Sequence, residues 1–169
     1  MRSIGLGARP DDLRREACVQ SALFTIGYEG AGQGAVIAAL KAAGITTLID
    51  VRDLPLSRRA GFSKRPLAAS LAEAGIGYVH LKGLGTPKEG RLANRARRWD
   101  EFWQIVENSL ARPEAEHDLA LAIRIAGEGR ACLLCFEADP HICHRKRVAE
   151  MMAEGHGFSV EHIAPDPAF

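Results

Sequence analysis

Apolar positions along the chain fall into five short blocks, separated by stretches in which they recur every three to four residues. The blocks at 23–28, 47–51, 78–81 and 130–136 are mostly apolar runs, and 158–163 interleaves Phe158, Val160 and Ile163 with polar residues. Unbroken rather than alternating hydrophobicity predicts strands buried on both faces. Between them, 35–43, 66–74, 92–109, 114–126 and 143–153 read as helices. Gly44 and Gly75 sit where C-terminal caps belong, and Pro66 suits a first helical turn. Trp99, Phe102, Trp103 and Val106 keep a helical spacing that predicts a core-facing stripe. Strands alternating with helices predict an α/β fold, a three-layer arrangement of about five mostly parallel strands between helices. We expect one such domain over 23–169, preceded by an N-terminal extension, 1–22, that reads as a short helix from Asp11 or a loose segment.

Composition narrows the class without naming a function. With 47% hydrophobic and 25% charged residues over 169 positions, disorder, collagen-like repeats and a small disulfide scaffold are excluded. No apolar run approaches the roughly 20 residues of a membrane span, and 1–22 contains no apolar signal core. The expectation is a cytoplasmic protein with reduced thiols and no membrane partner. A net charge of +1 gives no global field toward nucleic acid.

Locally the charge is uneven. Segment 52–65 carries five cations to one anion, 82–98 six to one, and 100–128 two to seven. Both basic segments begin at the carboxyl ends of predicted strands, the edge along which open α/β sheets bind ligands.

Chemistry concentrates in Cys132-Leu-Leu-Cys135-Phe-Glu137-Ala-Asp139-Pro140-His141-Ile-Cys143-His144-Arg145. On a strand, neighbours alternate faces, so Cys135 and Glu137 share a face and Cys132 points the other way. Pro140 ends the strand, and Cys143, His144 and Arg145 fall in the first turn of the next helix. Free backbone N–H groups there favour an anion, and Arg145 adds a bidentate partner. A cysteine beside His144 and Arg145 at a helix start should be rich in thiolate, making Cys135 or Cys143 a candidate nucleophile. The C-x₂-C spacing of Cys132 and Cys135 raises zinc, with Cys143, His141 and His144 to complete the ligands. A strand would aim the two sulfurs apart, so no metal or other cofactor is expected.

Elsewhere, Asp50 lies inside an apolar run and needs a donor such as Arg52. Tyr28 and Glu29 follow the first strand in a Gly-rich turn that matches neither G-x-G-x-x-G nor the P-loop. Arg58, Arg59, Lys64 and Arg65 sit on a loop able to close over a phosphate. His80 and His162 read as core histidines.

Taken in order, Thr25-Ile-Gly-Tyr-Glu-Gly30, Leu48-Ile-Asp-Val-Arg52, the segment from Leu71 to Leu81 and the run from Leu133 to Arg145 resemble the family called domain of unknown function 488. The resemblance spans 23–163, and Cys135-x-Glu137 followed by Cys143-His144-Arg145 is its most specific part. It implies a bacterial, cytosolic α/β protein and names no reaction. Leu48-Ile-Asp-Val-Arg-Asp53 also looks like a rhodanese strand. The Cys135–loop–Arg145 order is loosely similar to a rhodanese or cysteine-phosphatase anion loop, but such loops return to an arginine within about half a dozen residues, and here ten separate the two.

The leading expectation is a pocket for a phosphate-bearing or other anionic ligand at the carboxyl edge of the sheet. Arg145 and the helix start would hold the anion, Arg52, Arg58 and Lys82 would extend the positive surface, Glu137 would orient an arginine, and Tyr28 would line the wall with His144. The rivals are a thiol-dependent enzyme acting through Cys135 or Cys143, by sulfur or phosphoryl transfer, and a nucleic-acid binding module contacting phosphates through the two basic segments.

Overall fold

The computed structural model describes residues 21–166. The extension read at 1–22 therefore falls almost wholly outside the described residues. Five strands form one parallel sheet: β1 (Ala22–Gly27), β2 (Thr47–Asp50), β3 (Gly77–His80), β4 (Ala131–Cys135) and β5 (Ser159–Ile163), in the order β3-β2-β4-β1-β5. Pairing is parallel throughout, with Gly27 opposite Cys135 and Asp50 opposite Leu134. All five predicted strands are present, and the sheet is wholly parallel.

Helices cover both faces. Val36 and Leu40 of α1 (Gln33–Ala42) and Leu67 and Leu71 of α2 (Lys64–Glu73) pack with Phe24, Ile26, Leu48, Cys132 and Leu134. On the other face, α4 (Trp99–Leu110), α5 (Pro113–Glu128) and α6 (His144–Ala153) pack Phe102, Val106, Ala122, Val148 and Met152 against Leu23, Ile49, Val51, Leu133 and Cys135. The strict alternation of β4 between the two cores explains its unbroken apolar sequence. Every one of its five residues is buried.

The stretch read as one helix over 92–109 is two. Helix α3 (Lys88–Arg95) ends at Ala96, Arg97 takes a positive φ of 56°, and α4 begins at Trp99. The turn changes the phase of the apolar stripe. Phe102 and Val106 enter the core, Trp103 packs at its border, and Trp99 is left 36% exposed, contrary to expectation.

Strand order positions the site. β4 lies between β1 and β2, so its carboxyl end opens between two neighbouring strand ends, where consecutive connections diverge to opposite sides. Ligands of open α/β sheets bind at such a point.

Candidate functional site

Cys135 is the last residue of β4, and the chain then turns through Phe136, Glu137 and Ala138. This turn is anchored from β1: Tyr28 N–H and Glu29 N–H both donate to the Phe136 carbonyl, at 3.1 and 2.8 Å. The Glu29 carboxylate accepts from Ala138 N–H. Asp139 then caps a short 3₁₀ turn, Pro140–Ile142, by accepting from His141 N–H at 2.8 Å. Cys143 is the N-cap of α6 and His144 its first residue. The turn therefore folds the two halves of the Cys/His motif back on each other.

The sulfurs of Cys135 and Cys143 and a ring nitrogen of His144 all lie within 4.8 Å of one another, and all three residues are buried. The Cys135 thiol donates to Glu137 Oε2 at 3.3 Å, with His144 Nδ1 at 3.7 Å. The other ring nitrogen, Nε2, meets the Val51 carbonyl at 2.9 Å. A carbonyl only accepts, so Nε2 carries a proton and Nδ1 faces the sulfurs. Glu137 is steadied through Oε1 by Asn94 Nδ2 at 3.4 Å, and the same nitrogen donates to the Ile142 carbonyl.

Charge is shared unequally among these groups. Burial opposes ionisation of Cys143, but hydrogen bonds from Cys135 and His144 and the positive charges of His144 and Arg145 hold it well below the usual thiol range. Cys135 moves the other way, chiefly through its hydrogen bond with Cys143 and then through burial. Burial alone would lower His144, yet bonding to Cys143 raises it above the ordinary histidine value. Burial and the neighbouring Cys143 push Glu137 up to about 7. These shifts make Cys143 the more acidic of the two thiols and His144 the natural acceptor of its proton. Chemically, His144 Nδ1 can take up a thiol proton, and the cluster can give up its thiol protons to solvent when it takes up a soft cation.

This cluster forms the floor of a cleft of about 940 Å³. Tyr28, Cys135, Glu137 and His144 face it, and six arginines line it against three carboxylates. Three of the arginines are held: Arg52 by Asp50, Arg91 by Asp53 at 2.7 Å, and Arg59 by the Ala31 carbonyl. Arg58, Arg95 and Arg97 are exposed, and none of their side chains makes a hydrogen bond or ion pair among the described residues. Leu54, Leu56, Trp99 and Phe136, four of the five large exposed hydrophobics among the described residues, line the same cleft.

Other expected site residues lie apart from the cleft or are committed elsewhere. Arg145 is fully buried beneath the turn and donates to the Glu137 and Ala138 carbonyls and to Thr25 Oγ1. The turn aims carbonyls at this guanidinium, so its inner side is no cradle of N–H groups. Cys143 is likewise sealed under the floor. Lys82 begins a 3₁₀ turn, Lys82–Leu84, which carries it to a separate depression of about 760 Å³ beside the start of α5. Arg52 reaches the cleft, but its donors are committed to Asp50 (2.8 and 2.6 Å), Tyr28 Oη (2.9 Å) and the Phe62 carbonyl (3.0 Å). Asp50 accepts also from Tyr78 Oη at 2.7 Å, which satisfies the buried carboxylate anticipated in β2. Cys132 faces the opposite core, as strand alternation required.

Sequence reading did not single out Arg91, Asn94, Arg95 or Arg97 as site residues. Their signal was the charge of 82–98, but which cations reach the cleft depends on the break at Arg97.

A family model described as "Domain of unknown function DUF488" matches residues 33–152, from the start of α1 into the last turn of α6. The match includes the Cys135–Arg145 motif and leaves β1 and β5 outside it. No curated protein and no solved structure matches the chain.

Proposed function

The chain belongs to the DUF488 family, and from that premise we propose that its cleft binds a phosphate-bearing ligand that also presents an apolar or ring face. One observation carries the reading. The side chains of Arg58, Arg95 and Arg97 line the cleft without a partner among the described residues, beside four exposed apolar side chains. An exposed guanidinium suits bidentate contact with phosphate, and Trp99 and Phe136 suit stacking. Arg97 adds a second reason. A non-glycine residue at φ 56° is held in a costly conformation, and such strain gathers at ligand sites. A mononucleotide has both required features.

The test is a thermal-shift panel of inorganic phosphate, sulfate, mononucleotides and a short oligonucleotide, run on wild type and on an Arg58→Ala/Arg95→Ala/Arg97→Ala variant. A ligand that binds only the native state raises the midpoint by mass action. The expected result is a rise with a phosphate-bearing compound that disappears in the variant. A shift confined to the oligonucleotide and falling steeply with salt would favour the nucleic-acid reading. No shift with any anion, or an equal shift in the variant, overturns the proposal.

A further inference from the structure

We propose that Cys135, Cys143 and His144 form a binding site for a single Zn²⁺-class cation at the floor of the cleft. The inference is independent of the anion reading above.

Four observations carry it. The first is convergence: two sulfurs and an imidazole nitrogen lie within 4.8 Å of one another, so a shift of about 1 Å closes them onto one tetrahedral ion, for which Zn–S is about 2.3 Å and Zn–N about 2.0–2.1 Å. The second is orientation of the ring. His144 Nε2 donates to the Val51 carbonyl at 2.9 Å, which leaves Nδ1 aimed at the sulfurs. Metal-bound histidines have their other N–H tied to an acceptor in this way, which fixes the tautomer.

The third observation is Cys143 itself. It is fully buried and touches no part of the cleft, so a substrate cannot reach it. A simple Cys135–His144 nucleophile pair would leave this second sulfur without a role, whereas a cation uses both. The fourth is charge. Two thiolates and Zn²⁺ together are neutral, so the ion removes the cost of burying thiolate in an apolar site. Two sulfurs and one imidazole also favour Zn²⁺ over hard cations such as Mg²⁺ or Ca²⁺.

The set supplies three protein ligands, and two of them, Cys135 and His144, face the cleft. A three-ligand site with one side open is the catalytic rather than the structural type of zinc site. Glu137 Oε2, 3.3 Å from the Cys135 sulfur, is placed to become the fourth ligand or to accept a proton from bound water. Binding takes up the ion and releases two protons to solvent, those the two thiols share with His144 Nδ1, with no oxidant or reductant needed.

The experiment uses the full chain, stripped with chelator and titrated with Zn²⁺ or Co²⁺ alone. One equivalent should bind, and the Co²⁺ form should show thiolate-to-metal charge-transfer absorption with the strong visible bands of a tetrahedral site. Cys135→Ser and Cys143→Ser should each lose at least about a hundredfold in affinity, the upper end of what changes to outer-shell partners cost. Cys132→Ala and Cys18→Ala should keep it. Should a serine variant fail to fold, the wild-type Co²⁺ spectrum decides alone. Absence of charge-transfer absorption, or uptake unchanged in folded Cys143→Ser, overturns the site. Rapid alkylation of Cys135 that Zn²⁺ does not slow also overturns it and assigns the cluster to thiol chemistry. The Arg58/Arg95/Arg97 triple variant should retain metal affinity, so loss of the anion reading and loss of this one are separable.

Discussion

Gly27 and Glu137 touch backbone to backbone: a Cβ on Gly27 would lie 1.8 Å from the Glu137 carbonyl oxygen. The contact lets the end of β1 press against the turn that follows Cys135. Here glycine is required for space rather than for its φ. Gly27→Ala should therefore push the turn away from β1, at a cost of about 3 kcal/mol from overpacking. It should also expose Cys135, making its alkylation faster. Urea unfolding and timed iodoacetamide labelling check both. A loss within about 0.5 kcal/mol, in the range of a neutral surface change, would show that the turn is held elsewhere.

Arg145 behaves as a cross-brace. Its guanidinium satisfies two carbonyls of the turn and Thr25 of β1, far from solvent. Arg145→Ala removes the donor from the Glu137 and Ala138 carbonyls, while Thr25 Oγ1 keeps His162 Nδ1, at about 1–3 kcal/mol for each carbonyl left unpaired and less where water reaches it. The expected result is a lowered unfolding midpoint with or without phosphate present. If Arg145 instead ligated an anion, the variant would keep its ligand-free stability and lose only the ligand-induced rise.

Arg97 allows stability and binding to be separated. Its φ of 56° is costly for arginine and free for glycine. Arg97→Gly should leave stability unchanged or raise it by up to about 1 kcal/mol, because relief of strain competes with greater freedom of the unfolded chain. Phosphate affinity should fall in the same protein. A variant that loses stability and keeps full affinity contradicts both roles.

Glu137 makes stability fall as pH rises in chelator-stripped protein. Its carboxyl is pushed from 4.5 to about 7 by burial first and by Cys143 second. Below both values, the folded and unfolded forms are equally protonated. Between them the unfolded chain releases the proton while the folded protein retains it, so rising pH favours unfolding. Denaturant midpoints should decline from about pH 5 to pH 7, and Glu137→Gln should flatten that segment. A wild-type midpoint that rises across the same window would reverse the assignment.

Much of the fold was readable from local pattern because the three inner strands, β1, β2 and β4, are buried along nearly their whole length and leave apolar runs. The break at 96–98 was not, since neither glycine nor proline marks it: Arg97 adopts a positive φ without the residue that usually signals one. That same break turned Trp99 from a presumed core residue into a wall of the cleft. Alternation along β4 correctly separated Cys132 from Cys135. The meeting of Cys135 with Cys143 and His144 was only half legible, because it depends on how tightly residues 136–142 fold back. Arg145 was read from its place near a helix start. Its actual partners are carbonyls of that intervening turn, whose orientation no spacing rule supplies. Lys82 was assigned by proximity to a strand end, and one 3₁₀ turn moved it to a different depression.

The strand order has a consequence for how the molecule comes into being. β1 and β2 emerge early but do not pair with each other; the slot between them belongs to β4. Until residues 131–135 arrive, the nascent sheet keeps two open inward edges, the kind of surface on which chains aggregate. Closing that slot needs contacts far apart in sequence, a slow step in folding. The strand that closes it ends in Cys135, and the residues that join Cys135 follow directly. Closure of that slot and assembly of the thiol cluster are therefore one late event, and a chain halted before Ala131 would possess neither.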